Sequence, residues 1–280
     1  MKALITGASG QLGFDAVKVL RKQGVDCLGV SSKELDVTDR NAVLRVFDTY
    51  RPDAVLHCAA WTKVDLAEDE PERCMCVNAA GTRNIALACR EFGSKLLYIS
   101  TDYVFPGTGD KPWETNDPTG PLNVYGRSKL AGELAVRELV EKHFIVRTSW
   151  VIGEHGNNFV KTMLRLAETH DCLRVVDDQI GSPTFTADLA PLLCDMLLTE
   201  KYGVYHATNE GFCSWAELAE AVFRLSGKAF AVEHVTTEAY GAKALRPKNS
   251  RLSKASLDAG GFQRLPGWEE SLARMLEKGY

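Results

Sequence analysis

No run of the 280-residue sequence is apolar for long enough to cross a membrane. The opening Met1-Lys2-Ala3-Leu4-Ile5-Thr6 also meets glycine before the apolar core of a secretory signal can form. Both features lead us to expect a cytoplasmic protein without a membrane partner. Positive charge is scarce as well: 33 lysines and arginines stand against 37 acidic residues, a net charge of −4. No basic stripe gathers them, which argues against nucleic acid as a partner. Metal-type cysteine spacing is missing. Cys27, Cys58, Cys74, Cys76, Cys89, Cys172, Cys194 and Cys213 are scattered, and Cys74-Met75-Cys76 lacks a zinc-site interval. They read as free thiols, several of them packing as small hydrophobes, and no metal ligand is assigned. Repeats and low-complexity linkers are absent, so any two lobes should be closely packed.

Strand and helix signals alternate through the first half. Lys2–Thr6, Asp26–Ser31, Asp53–Ala59, Lys95–Ser100 and His143–Thr148 read as strands, and Leu12–Lys22, Asp39–Tyr50 and Glu70–Phe92 as helices. Buried-type strands alternating with helices predict an α/β fold, a doubly wound parallel sheet of the Rossmann type. After Trp150 the pattern loosens. Asn157–Thr169 and Ala187–Thr199 look helical, Leu173–Val176 is a brief strand, and Gln179–Thr184 is a loop. Val204–His206 is expected to rejoin the sheet. Ser214–Leu225 is a Ser-capped helix, Ala231–Val235 a strand, and a last helix follows a basic loop. The expected organisation is a dinucleotide-binding domain, residues 1–150 and 187–210, with a smaller α/β substrate lobe, residues 151–186 and 211–280.

Gly7-Ala8-Ser9-Gly10-Gln11-Leu12-Gly13 stands between the first strand and the first helix. Its G-x-x-G-x-x-G spacing differs from the usual dinucleotide fingerprint, but the physics is shared. Glycines permit the tight turn and close backbone approach, and the helix N-terminus offers N–H groups to a pyrophosphate. At the tip of the second strand an NAD enzyme usually carries a carboxylate. Here Val30-Ser31-Ser32-Lys33 has none, and two hydroxyls with a lysine suit a ribose phosphate. NADPH is the preferred cofactor, with NADH, bound over an unselective turn, as the alternative. Asp36 and Val37 are candidates for the adenine, and Cys58, Ala59, Ala60 and Thr62 for the pyrophosphate and nicotinamide ribose.

Tyr125 and Lys129 are four apart at the start of a helical run, which puts them on one face. Ser100-Thr101-Asp102 ends the fourth strand, at the sheet edge where such folds bind ligands. Hydride delivery to a ketone needs an acid for the nascent alkoxide. A lysine charge about 4 Å from a phenol, at an effective dielectric near 20, is worth about 4 kcal/mol, up to about three pKa units downward. Thr101 is placed to polarise the carbonyl.

With these residues on one chain the sequence resembles the extended short-chain dehydrogenases/reductases, and within them the dTDP-4-dehydrorhamnose reductases. The resemblance runs over nearly the whole length. It is carried by Gly7–Gly13, Ala59–Asp65, Ser100-Thr101-Asp102-Tyr103-Val104-Phe105, Tyr125–Glu133, Arg147–Trp150, Asn158-Phe159, Asp178–Thr184 and Arg246–Ser250. The Thr-Asp-Tyr-Val-Phe and Asp-Gln-Ile-Gly-Ser-Pro-Thr segments are the specific ones. The resemblance implies reduction of the 4-keto group of dTDP-6-deoxy-L-lyxo-4-hexulose to dTDP-L-rhamnose. Tyr125 would be the proton donor, Lys129 would hold the ribose and tune Tyr125, and Thr101 would complete the triad. Thr101, Asp102, Tyr103, Val104, Trp150, Asn158, Phe159 and Arg246 would contact the sugar nucleotide. Some members of the family bridge a dimer through magnesium. Asp15 occupies one plausible position, but the other ligands find no match, so no metal is assigned and either a monomer or a homodimer is expected.

Some of these residues keep a second reading. Trp150 is a sugar-stacking residue or a core tryptophan. Asn158 and Phe159 cap and fill a helix or face the nucleotide. Arg246 and Lys248 pair with a diphosphate or belong to a solvated loop. His57 reads as structural. Two rival functions remain. A sugar-nucleotide dehydratase wants a Thr-Asp-Glu carboxylate pair, which Thr101-Asp102-Tyr103 lacks, whereas an epimerase is open by motif. A non-catalytic dinucleotide-binding regulatory subunit is the other rival, though such proteins often lose the Tyr/Lys pair.

Overall fold

Most consecutive strands of the first half lie side by side in the sheet, but the second and third are separated by the first, and this reversal opens the cleft. The computed structural model describes residues 1–278. Its first half runs β1 (Lys2–Thr6), α1 (Gln11–Lys22), β2 (Asp26–Val30), α2 (Arg40–Tyr50), β3 (Ala54–His57), α3 (Val64–Asp69), α4 (Pro71–Met75), a π-helical turn (Cys76–Gly81), α5 (Thr82–Phe92), β4 (Lys95–Thr101), a 3₁₀ turn (Asp102–Val104), α6 (Val124–Leu139) and β5 (His143–Thr148). The second half runs β6 (Val151–Ile152), α7 (Phe159–Leu166), β7 (Cys172–Val176), β8 (Ile180–Gly181), β9 (Thr184–Phe185), α8 (Thr186–Leu197), β10 (Gly203–His206), β11 (Cys213–Ser214), α9 (Trp215–Leu225), β12 (Ala231–Val235), α10 (Thr237–Tyr240), α11 (Ala255–Ala259) and α12 (Trp268–Leu276).

Six parallel strands form the main sheet in the order β10-β5-β4-β3-β1-β2. The chain leaves β1 toward β2 and then crosses back to β3, so the strand order reverses beside β1. Ligands bind at the carboxyl ends of strands flanking such a reversal. Side chains alternate to the two faces. Ala3, Ile5, Leu56, Leu97 and Val146 pack under α1 and α8, while Leu4, Val55, Leu96, Tyr98 and Ile145 pack under α2, α5 and α6. This double burial explains the continuous apolar runs in the sequence.

A third core joins α7, α9 and α12 with β7 and β12. Leu257 and Leu265, in the stretch expected to belong wholly to the lobe, pack instead into the core beneath the sheet. Residues 279 and 280, which the expected lobe includes, lie outside the described residues. Among those described, no helix is long and apolar enough to cross a membrane.

Two local expectations are corrected. The single helix expected over Glu70–Phe92 starts only at Pro71 and contains the π-turn. Within that turn Asn78 points inward, accepting from Trp61 N (2.8 Å) and donating to Trp61 O (3.0 Å) and Ser128 Oγ (2.9 Å). The wider winding sets this amide against α6. Gln179–Thr184, expected as a loop, contributes short strands: β8 pairs with β11 and β9 with β6. Val204–His206 joins the sheet against β5, as anticipated.

Candidate active site

A cleft of about 730 Å³ runs along the carboxyl edge of the sheet from Gly7 to Trp215. At one end the glycine turn leads into α1, whose N-cap, Gly10, has extended backbone and no side-chain cap. The first N–H groups of the helix are thereby left as donors at the cleft. A Cβ built on Gly13 would sit 2.3 Å from Gly7 O, so only glycine lets α1 start this close to the turn. Gln11 Oε1 accepts from Gly153 N (2.8 Å) and Asn158 Nδ2 (3.1 Å), tying the turn to the lobe. Ser9, Leu12, Asp36, Val37, Cys58, Ala59, Ala60 and Thr62 line the same end. Asp36 accepts from Thr38 N and Oγ1, which closes its own turn.

The tip of β2 departs from expectation. Ser32 lines the cleft, whereas Ser31 and Lys33 stand outside its lining. The Ser31 N–H and hydroxyl both donate to Glu34 Oε2 at 2.8 Å. A carboxylate therefore does reach the strand tip, folded back from three residues on. The Ser31-x-x-Glu34 pattern, the spacing of a capping box, is the signal that was available.

At the other end Asn123 caps α6, accepting from Gly126 N (2.8 Å) and donating to Leu245 O (2.7 Å). Tyr125 and Lys129 face the cleft on the first turns of that helix. Lys129 Nζ donates to Ile99 O (2.6 Å) and lies 4.1 Å from the centre of the Tyr98 ring. Burial lowers its pKa to about 7, against the raising effect of Glu133. Glu133 itself accepts from Ser100 Oγ (2.6 Å) and is held bidentate by Arg147 (both 2.8 Å), all fully enclosed.

The Tyr125 phenol is pushed up from its ordinary value, first by burial and then by the Asp102 charge, with Thr101 pulling slightly back. The downward shift expected from Lys129 is not found: the ammonium is engaged by the Ile99 carbonyl, and desolvation dominates. The Thr101 hydroxyl donates to Asp102 Oδ1 (2.9 Å) and accepts from Tyr103 N (3.2 Å). Its one proton is thus directed at Asp102 rather than toward a carbonyl in the cleft. Burial raises Asp102 to about 6, against lowering by the Ser250 and Thr101 hydroxyls, and its Oδ2 has no well-formed hydrogen bond among the described residues.

Trp150 lines the cleft with its indole stacked on Trp215, centroids 3.7 Å apart at 16°. Trp215 is the residue that sequence reasoning missed. Its one signal was its place directly after the Ser214 cap. Four other candidates lie outside the lining. Val104 is wholly buried with Phe105 and Leu252, turned away from the cleft. Asn158 caps α7 through Lys161 N (3.1 Å), and Phe159 packs on Trp215 at 4.8 Å. Arg246 is held bidentate by Asp65 (3.0 and 2.7 Å) with only 20% of its side chain exposed, so it is no solvated loop residue. Lys248, 66% exposed, pairs with Asp178. Asp15 accepts from Thr186. Among the described residues no group of three or more His, Cys, Asp or Glu is arranged to hold a metal ion.

Comparison with known proteins places this geometry in context. A family model described as the RmlD substrate binding domain matches residues 1–280. A dTDP-4-dehydrorhamnose reductase of Streptomyces griseus is 45% identical over 96% of this chain and 91% of its own. The spore coat polysaccharide biosynthesis protein SpsK of Bacillus subtilis is 42% identical over 99% of this chain and 97% of its own. Among solved structures, a dTDP-4-dehydrorhamnose reductase of Bacillus anthracis in complex with NADP superposes with a TM-score of 0.96 at 45% identity, covering 99% of each chain.

Proposed function

The chain belongs to the family of the RmlD substrate binding domain, and from that premise we propose that it is an NADPH-dependent reductase of a dTDP-linked 4-keto-6-deoxy sugar. The reaction is conversion of dTDP-6-deoxy-L-lyxo-4-hexulose to dTDP-L-rhamnose. One observation carries the reading: a single cleft joins the uncapped start of α1 to the half-buried Tyr125, with Thr101 and Lys129 beside it in the lining. The relatives' names supply the sugar.

The glycine end fits a dinucleotide, because its Gly13 contact leaves no room for a side chain and its helix N–H groups face the cleft. NADPH bound there supplies the hydride. Ser9, Gly10 and Gln11 would hold its pyrophosphate, Asp36 and Val37 its adenine, and Lys129 its nicotinamide ribose. Ser32 favours the ribose phosphate. The Glu34 carboxylate beside Ser31 supports some use of NADH as well.

Reduction needs an acid, and Tyr125, protonated at neutral pH like any phenol, lines the cleft with Thr101 and Lys129. Tyr125 gives its proton to the 4-oxygen as charge develops there. Thr101, with its proton on Asp102, sits against the phenol and orients it. The Lys129 charge balances the phenolate left behind. Trp150 lies along the sugar. Residues 1–150 and 187–210 would bind the cofactor, and residues 151–186 and 211–278 would supply most of the sugar-nucleotide lobe.

The test is incubation with NADPH and a panel of 4-keto nucleotide sugars, following cofactor absorbance. Rapid oxidation with the dTDP-linked 6-deoxy-4-hexulose is expected. An inert cofactor, or isomerised sugar without net oxidation, would sink the reading in favour of an epimerase or a regulatory subunit.

A further inference from the structure

The Asp178–Thr184 segment takes no part in the chemistry above, yet it closes around Trp150. Trp150 has φ +48°, in the left-handed region that a bulky residue rarely occupies. Such a conformation persists only where the surroundings over-determine it. Four contacts do so here. Thr184 N donates to Trp150 O at 3.1 Å, while Ser149 Oγ donates to Ser182 O at 2.7 Å, so backbone on both sides of the strained residue is tied to the segment. Gly181 lies against the indole: a Cβ there would be 2.9 Å from Cε2 and 3.0 Å from Cζ2, so only glycine fits. Trp215 covers one indole face at 3.7 Å.

Trp215 is itself fixed. It opens α9 behind the Ser214–Glu217 capping box, and Ser214 Oγ also donates to Asp177 Oδ1 (2.6 Å). The register pairs Gly181 with Cys213 and Ile180 with Ser214, so one short ladder delivers both the glycine and the second tryptophan to Trp150.

We infer that Trp215 and the Ile180–Thr184 segment are positioning elements that hold Trp150 in its left-handed conformation, presenting a flat apolar wall that selects the C–H face of a deoxy sugar. The identity of the sugar rests on the reductase reading; the cradle does not. A wall of this kind discriminates because a ligand with a hydroxyl at that face would have to bury it without a partner.

The experiment uses the full chain and the variants Trp215→Leu, Trp215→Phe and Gly181→Ala. Two stacked indoles couple, so the wild type should show an exciton couplet in far-ultraviolet circular dichroism. Both Trp215 variants should lose it, and Gly181→Ala should reduce it by displacing Trp150. In Trp215→Leu the KM for the 4-keto sugar nucleotide should rise roughly tenfold while kcat changes by less than about threefold, with Trp215→Phe partly rescuing KM. A wild type without the couplet, a couplet untouched by Gly181→Ala, or wild-type KM in Trp215→Leu would each overturn the inference. If the wild type turns over no sugar, the reductase reading fails, while the couplet and its response to Gly181→Ala still decide the cradle. If Trp215→Leu does not fold, Gly181→Ala carries the same test.

Discussion

At the Gly7 end of the cleft the chain offers backbone: a turn without side chains and the uncapped N–H groups of α1. At the Tyr125 end it offers side chains taken out of water, namely a phenol, an ammonium and a carboxyl, all displaced from their ordinary ionisation by burial. The first design demands little electrostatically and at Gly13 leaves no room for a methyl. The second is as tightly packed at Gly126, where a Cβ would lie 2.3 Å from Tyr103 O, and in addition holds charges where they are costly, so its function is opposed by stability.

The sharpest way to break this contrast is Tyr125→Phe. Turnover should fall by roughly 10²–10⁴-fold while NADPH affinity stays within about threefold. A parallel loss of binding, measured by titration, would mean that the two ends are not separable. Next comes Gly13→Ala, which forces a methyl to 2.3 Å from Gly7 O. NADPH affinity should drop on the order of 100-fold, with about 1–3 kcal/mol lost from stability. Gly10→Ala, whose methyl would meet only Gly7 O at 3.3 Å, should do far less. Equal losses in the two alanine variants would remove the steric account.

Lys129→Met probes the price of the polar end. The folded pKa is lowered to about 7 from 10.5, so the unfolded chain binds this proton more tightly, and stability rises with pH across that window. At neutral pH and below, the variant should therefore melt higher than wild type, by roughly 2–4 °C, although inactive. The gain should shrink as pH rises above 7, and calorimetry on either side of that pH checks it. A variant that melts lower at every pH would mean that the Ile99 contact outweighs desolvation. The smallest effect is expected from Glu34→Gln: the ratio of kcat/KM for NADPH over NADH should rise about two- to fivefold, since one exposed negative charge is removed beside Ser31.

The backbone end was the more legible in the sequence. Glycine spacing and apolar runs are local, and they announced β1, α1 and the turn between them. The pairing of Tyr125 with Lys129 was legible too, because helical spacing is local. The direction of the Tyr125 shift was not, since it depends on burial, which sequence separation does not reveal. Arg246 was left between a diphosphate contact and a solvated loop because its actual partner, Asp65, lies 181 residues away. Trp215 escaped notice for the same reason: its stacking partner comes from another element. Glu34 was local and was missed by reading the strand tip without the residue three places on.

The sixth strand of the main sheet, β10, comes from residues 203–206, after much of the second lobe has been threaded. During synthesis β5 therefore emerges with an open edge that no earlier segment can pair, and it waits for about sixty residues of lobe to follow, at roughly 5–20 residues per second. The nascent chain is exposed to edge-to-edge association over that interval of a few seconds. Cutting the gene after β5 should therefore yield an aggregating fragment rather than a dinucleotide-binding module.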